Sequence, residues 1–176
     1  MSDGFDRRAA LAGLSGGLLL LTGCGFRPLY APEREGDAPV NADLAAIRVG
    51  PVPDRSGQIL RQELERRFQA RGTAEARYTL TVTLLPSAEL QGFRRDGSPS
   101  RVRWTYNAPF TLSTMAVPPV PIVTGSASAF DAYNIPDQQF FAGIQSSNAM
   151  TRRLVQELAR DITERLAIAL RDRPRG

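Results

Sequence analysis

The 176-residue sequence contains no histidine, no lysine and a single cysteine, Cys24. Without histidine, the chain can build neither a Cys/His metal site nor a mechanism in which histidine is the general base. A lone cysteine cannot form a disulfide within the chain. Two carboxylates could act as acid and base, but no pair of acids stands out from the ordinary charge pattern. The sequence therefore predicts that the protein is not an enzyme and uses no metal and no cofactor.

All 22 basic residues are arginines and 18 residues are acidic, which gives a net charge of +4. This excess is small, and no basic stripe alternates with aromatic residues, so we expect no nucleic acid as a partner. The planar guanidinium group does suit carboxylates and phosphates. With 42% hydrophobic and 23% charged residues, the composition is typical of a folded domain, and the length suffices for a core.

The first 23 residues have the pattern of a lipoprotein signal peptide. A positive Arg7–Arg8 pair precedes an apolar run over Ala9–Leu21, which is too short for a membrane span of about 20 residues. The run ends in Leu21–Cys24, where small residues before a thiol suit peptidase cleavage and thioether formation with a lipid. The alternative, a cysteine buried in a core helix, is disfavoured by the surrounding glycines. The pattern leaves ordinary secretion and twin-arginine export both open.

The predicted lipid anchor on Cys24 defines the next part of the chain. Each buried CH₂ of an acyl chain contributes about 0.8 kcal/mol, so two or three palmitate-like chains hold a protein at a membrane. Residues 24–44 are predicted to be the lipidated N-terminus and a linker, because Ala31–Asp43 is rich in proline, glycine and acids. A folded domain is predicted over residues 45–172.

The first half of the domain predicts a strand at Ala46–Val49, followed by a helix that ends at Gly72. Either Asp54 or Ser56 is the expected N-cap residue of that helix. Apolar residues then recur at helical spacing. They are Ile59, Leu60, Leu64 and Phe68.

The second half predicts three strands and a long helix. A strand over Tyr78–Leu84 is expected to stop at Pro86, and Val102–Ser113 alternates apolar and polar side chains with Trp104 on the apolar face. The connection between them, Gly92–Ser100, contains an Asp-Gly turn and predicts an antiparallel hairpin. Pro109 suggests an edge position or a bulge.

A further strand is predicted over Ile122–Tyr133, and a helix with one apolar face is predicted to run to Arg171. The predicted fold class is α/β of the α+β type. It has a four-stranded mixed sheet, two helices packed on one face and the order β-α-β-β-β-α. The other face of the sheet would carry a row of Thr, Ser, Asn and Arg side chains.

The residues around the cysteine also carry a family resemblance. The segment Cys24–Tyr30 reads Cys-Gly-Phe-Arg-Pro-Leu-Tyr, and Gly125–Ala127 and Tyr133–Asn134 precede the long helix. Together with the element order, they resemble the LptE family of lipopolysaccharide-assembly lipoproteins over nearly the whole chain. The resemblance implies a lipoprotein that plugs the LptD β-barrel, helps it to assemble and takes part in lipopolysaccharide transport to the outer leaflet.

The same resemblance implies a location and a set of binding residues. Gly25 follows the cysteine where the lipoprotein sorting rule uses Asp for inner-membrane retention, which implies the outer membrane, on its periplasmic side. Some family members bind lipopolysaccharide through basic residues near a strand-connecting loop. The matching residues, whose guanidinium groups suit lipid A phosphates, are Arg94, Arg95, Arg101 and Arg103. The alternative is a solvated loop, or one that contacts the barrel wall.

Two other functions remain as alternatives. A lipoprotein subunit of another envelope lipid-transport system, of the ABC type, could share the same order of strands and helices. An enzyme acting on cell-wall or lipid substrates is disfavoured by the lack of histidine and of an acid pair in a recognisable motif. The partner protein would separate the first alternative from the LptD assembly.

Overall fold

The computed structural model of the chain describes residues 38–137 and 140–173. The predicted signal peptide, Cys24 and the linker before residue 38 lie outside the described residues. In chain order, the elements are α1 (Ala38–Ala45), β1 (Ile47–Val49), α2 (Asp54–Gln69), β2 (Tyr78–Val82), β3 (Leu85–Leu90), β4 (Arg101–Thr114), β5 (Pro121–Asn134) and α3 (Phe140–Arg171).

The five strands form one mixed sheet with β4 at its centre. Strand β1 pairs in parallel with β2, while β2 and β3 pair one after the other with the same edge of β4. Strand β5 pairs antiparallel with the opposite edge of β4 along almost its full length. The predicted α+β fold with a mixed sheet is confirmed. Within residues 38–137 and 140–173, the sheet has five strands rather than four, and three helices are present rather than two.

The additional strand, β3, begins just before Pro86, where the sequence predicted that a strand would stop. All six of its residues are exposed, and within the described chain β3 pairs only with β4. Proline is tolerated at such an edge because no further strand needs its missing N–H. The strand has no apolar face to bury, so it lacks the alternation by which strands are recognised in a sequence.

The prediction that Pro109 marks an edge or a bulge is wrong, because β4 is the central strand. Pro109 lies opposite Ser126 of β5, and its carbonyl accepts the N–H of Thr83 at 3.0 Å. In an antiparallel strand the N–H and C=O of one residue point to the same neighbour. The missing donor therefore faces the junction between β2 and β3, where the ladder is already interrupted.

Helix α1 corrects the linker prediction for residues 38–43. Its side chains Val40 and Leu44 are buried, and the helix packs against α3 and α2. Two contacts hold it to the rest of the domain. Arg77 forms a 2.6 Å ion pair with Asp43, and Arg71 donates to Asn41. A helix this short depends on tertiary packing rather than on its own propensity, which explains why the sequence pattern did not reveal it.

Helix α2 confirms the predicted apolar face but not the predicted cap. Leu60, Leu64 and Phe68 are buried, whereas the N-cap residue is Pro53 and makes no side-chain cap hydrogen bond. The helix ends at Gln69, and Gly72 follows with a φ of 126°. That conformation favours glycine, which supports the predicted end of the helix.

Helix α3 has 32 residues and is about 48 Å long at 1.5 Å per residue. It packs on β5 and α2 and confirms the predicted long helix. Ile144, whose spacing from the later apolar residues predicts a place on the apolar face, is 41% exposed. The buried hydrophobic side chains are Met150, Leu154, Val155, Leu158, Ala159, Ile162, Leu166 and Leu170, and Thr163 is buried among them.

The apolar face of β4 points towards the helices as the alternation predicted. Val102, Tyr106, Ala108, Phe110 and Leu112 are buried. Trp104, on the same face, is only partly buried and packs edge to face with Tyr106. Its Nε1–H is buried without an acceptor among the described residues. Trp104 therefore lies at the margin of the core rather than inside it.

A close contact between β4 and β5 predicts the effect of a small substitution at Gly125. A Cβ at this position would lie 2.8 Å from Cζ of Phe110 and 3.3 Å from two more atoms of the same ring. Because Phe110 is itself buried, the ring has little room to move. We expect Gly125→Ala to lower the free energy of unfolding by about 1–3 kcal/mol, measured by urea denaturation.

The control for this prediction is the same change made beside a smaller neighbour. In a Phe110→Leu background, Gly125→Ala should cost less than in the wild type, because the ring that it strikes is gone. Equal costs in the two backgrounds, or a Gly125→Ala protein as stable as the wild type, would show that the ring does not exclude a side chain here.

Candidate functional surface

The sheet has one face covered by helices and one face that no described helix covers. We call the second face the open face. On β4 it consists of the side chains that alternate with the buried ones, and on β5 of the residues paired with them. These side chains are Arg101, Arg103, Thr105, Asn107, Thr111 and Ser113 on β4, and Thr124, Ser126, Ser128, Phe130, Ala132 and Asn134 on β5. The row of Thr, Ser, Asn and Arg predicted for this face is confirmed.

One aromatic ring interrupts the polar character of the open face. Phe130 is 63% exposed, and the guanidinium carbon of Arg103 lies 4.2 Å from the centre of its ring. This stacking buries Nε of Arg103, which has no hydrogen-bond acceptor among the described residues. No pattern in the sequence singled out Phe130. It is a large side chain in a run of small ones, and its position in β5 places it on the face opposite to that of the buried Ala127 and Ala129.

The four arginines predicted to bind lipopolysaccharide lie at one end of the sheet, but they differ in their surroundings. Arg101 and Arg103 are two residues apart on β4 and share the open face. The Arg101 guanidinium donates to Oδ1 of Asn134 at 3.1 Å. Arg95 is exposed on the loop that leads into β4. The structure therefore places Arg101 and Arg103 on one face of β4 and Arg95 on the adjoining loop.

Arg94 has a different role, because its guanidinium is used within the protein. It donates to the carbonyl of Pro99 at 2.8 Å, to Oγ of Ser98 at 3.2 Å and to the carbonyl of Ile135. These bonds close the β3–β4 loop on itself and fasten it to the segment that follows β5. Arg94 thus positions the loop and has fewer free donors than its neighbours.

The turn of this loop is formed by Asp96 and Gly97, as predicted. The backbone N–H of Ser98 and then its hydroxyl donate to the Asp96 carboxylate, and these bonds hold the pKa of Asp96 below its usual value. Gly97 has a φ of 82°, which glycine adopts at no steric cost. The carboxylate therefore stays ionised next to the arginines and offsets part of their charge.

The described residues contain no group of metal ligands. Within residues 38–137 and 140–173, no three acidic, histidine or cysteine side chains are grouped so that they could hold a metal. No described helix is both long enough and apolar enough to cross a membrane. The class that the fold defines is a small α+β domain whose mixed sheet is covered by helices on one face and is open and polar on the other.

The family of this domain is shown by its sequence. The profile of the LptE family, described as lipopolysaccharide-assembly, matches residues 44–166. The chain therefore belongs to the LptE family, a family of non-enzymatic lipoproteins of lipopolysaccharide assembly in the bacterial envelope. No curated protein matches the chain.

Solved structures of lipoproteins share the fold. A lipoprotein from Caulobacter crescentus CB15 has a TM-score of 0.62 at 23% identity, covering 78% of this chain and 99% of that one. The minor lipoprotein from Acinetobacter baumannii has a TM-score of 0.56 at 17% identity, with coverages of 70% and 92%. Rare lipoprotein B from Shewanella oneidensis has a TM-score of 0.55 at 11% identity, with coverages of 69% and 93%. At these identities the likeness shows the fold alone.

Proposed function

We propose that the protein is an outer-membrane lipoprotein, anchored on the periplasmic side through lipid on Cys24, that plugs and helps to assemble the LptD β-barrel. In this role it takes part in the transport of lipopolysaccharide to the outer leaflet. Two observations support the proposal: membership of the LptE family over residues 44–166 and the lipobox-like Leu21–Cys24 motif.

The observation that carries the proposal is the open face of the sheet. The lumen of a membrane β-barrel is polar, so a domain that fills it needs a polar outer surface. Hydroxyl, amide and guanidinium side chains cover the paired 14-residue strands β4 and β5 on this face. A face of this composition can stay hydrated in a free domain and can form hydrogen bonds to the wall of a barrel.

Direct binding of lipopolysaccharide is the finer part of the proposal. Arg101 and Arg103 project from the open face, and Arg95 lies on the adjoining loop, so their guanidinium groups can form charge-assisted hydrogen bonds with phosphates. Arg94, whose donors are largely used by Ser98, Pro99 and Ile135, would hold the loop in place for the other three.

Site-specific photocrosslinking in living cells tests the contact of the open face with a barrel. A photoreactive phenylalanine at Asn107, on the open face, should crosslink to LptD. The matched control is Glu157, an exposed residue of α3 on the helical side, where we expect little or no crosslink to the barrel. A crosslink from Glu157 but not from Asn107 would mean that the domain meets its partner through the helices, and no crosslink from either would contradict the plug.

A further inference from the structure

The helical side of the domain contains a groove that the proposed function does not use. It lies between α2 and α3 and has a volume of about 460 Å³. The apolar surface of its floor is that of the half-buried Ile59, above the fully buried Val155, while its walls carry arginine and glutamine side chains from both helices. It is therefore a polar groove with an apolar floor, separated from the open face by the thickness of the domain.

The two arginines of this groove differ from most arginines of the same helices because they lack an acidic partner. Neither Arg55 nor Arg152 forms an ion pair or a side-chain hydrogen bond in the described chain. The arginines of α2 and α3 that do pair are Arg61 with Glu65, Arg66 and Arg67 with Glu63, Arg153 with Asp131, Arg160 with Glu164 and Arg165 with Asp161. Arg55 and Arg152 thus place two positive charges without an acidic partner in the groove.

The one carboxylate that lines the groove does not neutralise these arginines. Glu63 accepts hydrogen bonds from Arg66 at 2.6 Å and from Arg67 at 3.1 Å, and its side chain is only 11% exposed. Its charge is balanced by residues of its own helix. Arg55 and Arg152 are consequently available to a ligand that carries negative charge, and a guanidinium binds a carboxylate through two parallel hydrogen bonds.

The amides of the groove indicate which kind of anion fits. Gln58, Gln62 and Gln156 line it, and none of their side-chain amides has a hydrogen-bond partner in the described chain. Each amide can both donate and accept. A peptide backbone offers N–H groups and carbonyls in alternation and can use both functions. A phosphodiester only accepts, so it can use the amide N–H groups but not the amide oxygens.

We propose that this groove binds a short acidic segment of a partner protein in an extended conformation. Its carboxylates pair with Arg55 and Arg152, its backbone bonds to the glutamine amides, and a small apolar side chain contacts the half-buried Ile59. From Arg55 to Glu63 the groove follows α2 for about 12 Å, which matches three or four extended residues. The contact is small, so the binding is weak and reversible. The proposal does not depend on the role of the open face.

Fluorescence anisotropy tests the proposal with the full chain purified in a non-ionic detergent. The probes are fluorescein-labelled hexapeptides in which two glutamates are separated by one, two or three alanines. The matched probes carry glutamine in place of both glutamates. We expect saturable binding of at least one acidic peptide and none of the neutral peptides.

Charge variants locate the binding. Arg55→Gln and Arg152→Gln should each weaken the acidic peptide about tenfold, the usual effect of losing one charge-assisted hydrogen bond. The matched control is Arg160→Gln, which removes the same charge from an exposed position of α3 outside the groove. It should leave the affinity within about twofold of the wild type. All three side chains are exposed, so none of these changes should disturb folding.

Inorganic phosphate and phosphatidylglycerol micelles serve as competitors that carry a phosphate but no peptide. In addition, Gln58→Leu removes an amide without changing the charge and should weaken the peptide. Peptide binding that is unaffected by Arg55→Gln and Arg152→Gln would overturn the proposal. The proposal would also be overturned if phosphate or phosphatidylglycerol displaced the peptide and Gln58→Leu did not change the peptide's affinity, because the groove would then be a phosphate site. Absence of binding by every acidic peptide would also refute it.

Discussion

Replacing Phe68 by alanine is expected to lower the free energy of unfolding by about 3–5 kcal/mol. Phe68 is 2% exposed and belongs to the same core cluster as Ile47 of β1 and the buried residues of α3. Removing the ring loses its burial and leaves a cavity that the surrounding helices and strand can close only in part. Because small domains are stable by about 5–15 kcal/mol in total, the variant should unfold at a clearly lower urea concentration.

Trp104→Ala is the matched control for this prediction. The alternation of β4 places Trp104 on the apolar face, which by itself predicts a loss in the free energy of unfolding as large as that for Phe68→Ala. We expect a smaller loss, because Trp104 is only partly buried and its Nε1–H already lacks an acceptor among the described residues. A Trp104→Ala protein that loses more stability than Phe68→Ala would contradict the position of Trp104 at the margin of the core.

The second large effect concerns the membrane anchor. Cys24→Ala should abolish lipid attachment completely, because no other residue of the chain supplies a thiol for the thioether. Cys24 lies outside the described residues, and the described residues 38–137 and 140–173 supply a hydrophobic core of their own, so we expect the variant to keep its circular dichroism spectrum and its unfolding midpoint. Labelling cells with radioactive fatty acid and recovering the protein measures the attachment.

The control for the anchor prediction is a neighbouring substitution, Gly25→Ala, which leaves the thiol in place and should still incorporate label. Fatty acid found on the Cys24→Ala protein would refute the proposed lipidation site. A loss of label together with unfolding of the domain would contradict the separation of anchor and domain.

The parts of the fold that the sequence predicted are those whose side chains alternate between water and core. Helix α2, strand β4 and the long helix α3 each bury one regular stripe, so their spacing of apolar residues reveals both the element and its inner face. The Asp96–Gly97 turn predicted an antiparallel hairpin between the strand that begins at Tyr78 and β4, and these two strands do pair. The order of all five strands in the sheet was not predicted.

The parts that the sequence did not predict have no such stripe. Strand β3 is exposed on both faces and contains Pro86, and α1 is a single short helix held by Val40, Leu44 and the Arg77–Asp43 pair. The prediction of an edge or bulge at Pro109 was wrong for a related reason. The missing N–H of Pro109 faces the gap between β2 and β3, and this gap exists only because both strands pair with β4. Long-range contacts stabilise these features, and local patterns do not record them.

The candidate surfaces could also be predicted from the sequence only in part. The polar row of the open face followed from the alternation of β4, but the separate roles of the four arginines did not. Arg94 and Arg101 are distinguished by their acceptors, at Ile135 and Asn134, which are more than 30 residues away in the chain. Likewise, Arg55 and Arg152 become neighbours of one groove only after α2 and α3 have packed.

The proposed assembly can be tested by purifying the tagged protein from native outer membranes in a mild detergent. We expect the chain, with its leader removed and Cys24 acylated, to be recovered in a stable complex with one large β-barrel protein, identified by mass spectrometry as LptD. Recovery of an unacylated chain, or of an acylated chain bound to subunits of an ABC-type lipid transporter and to no barrel, would contradict it.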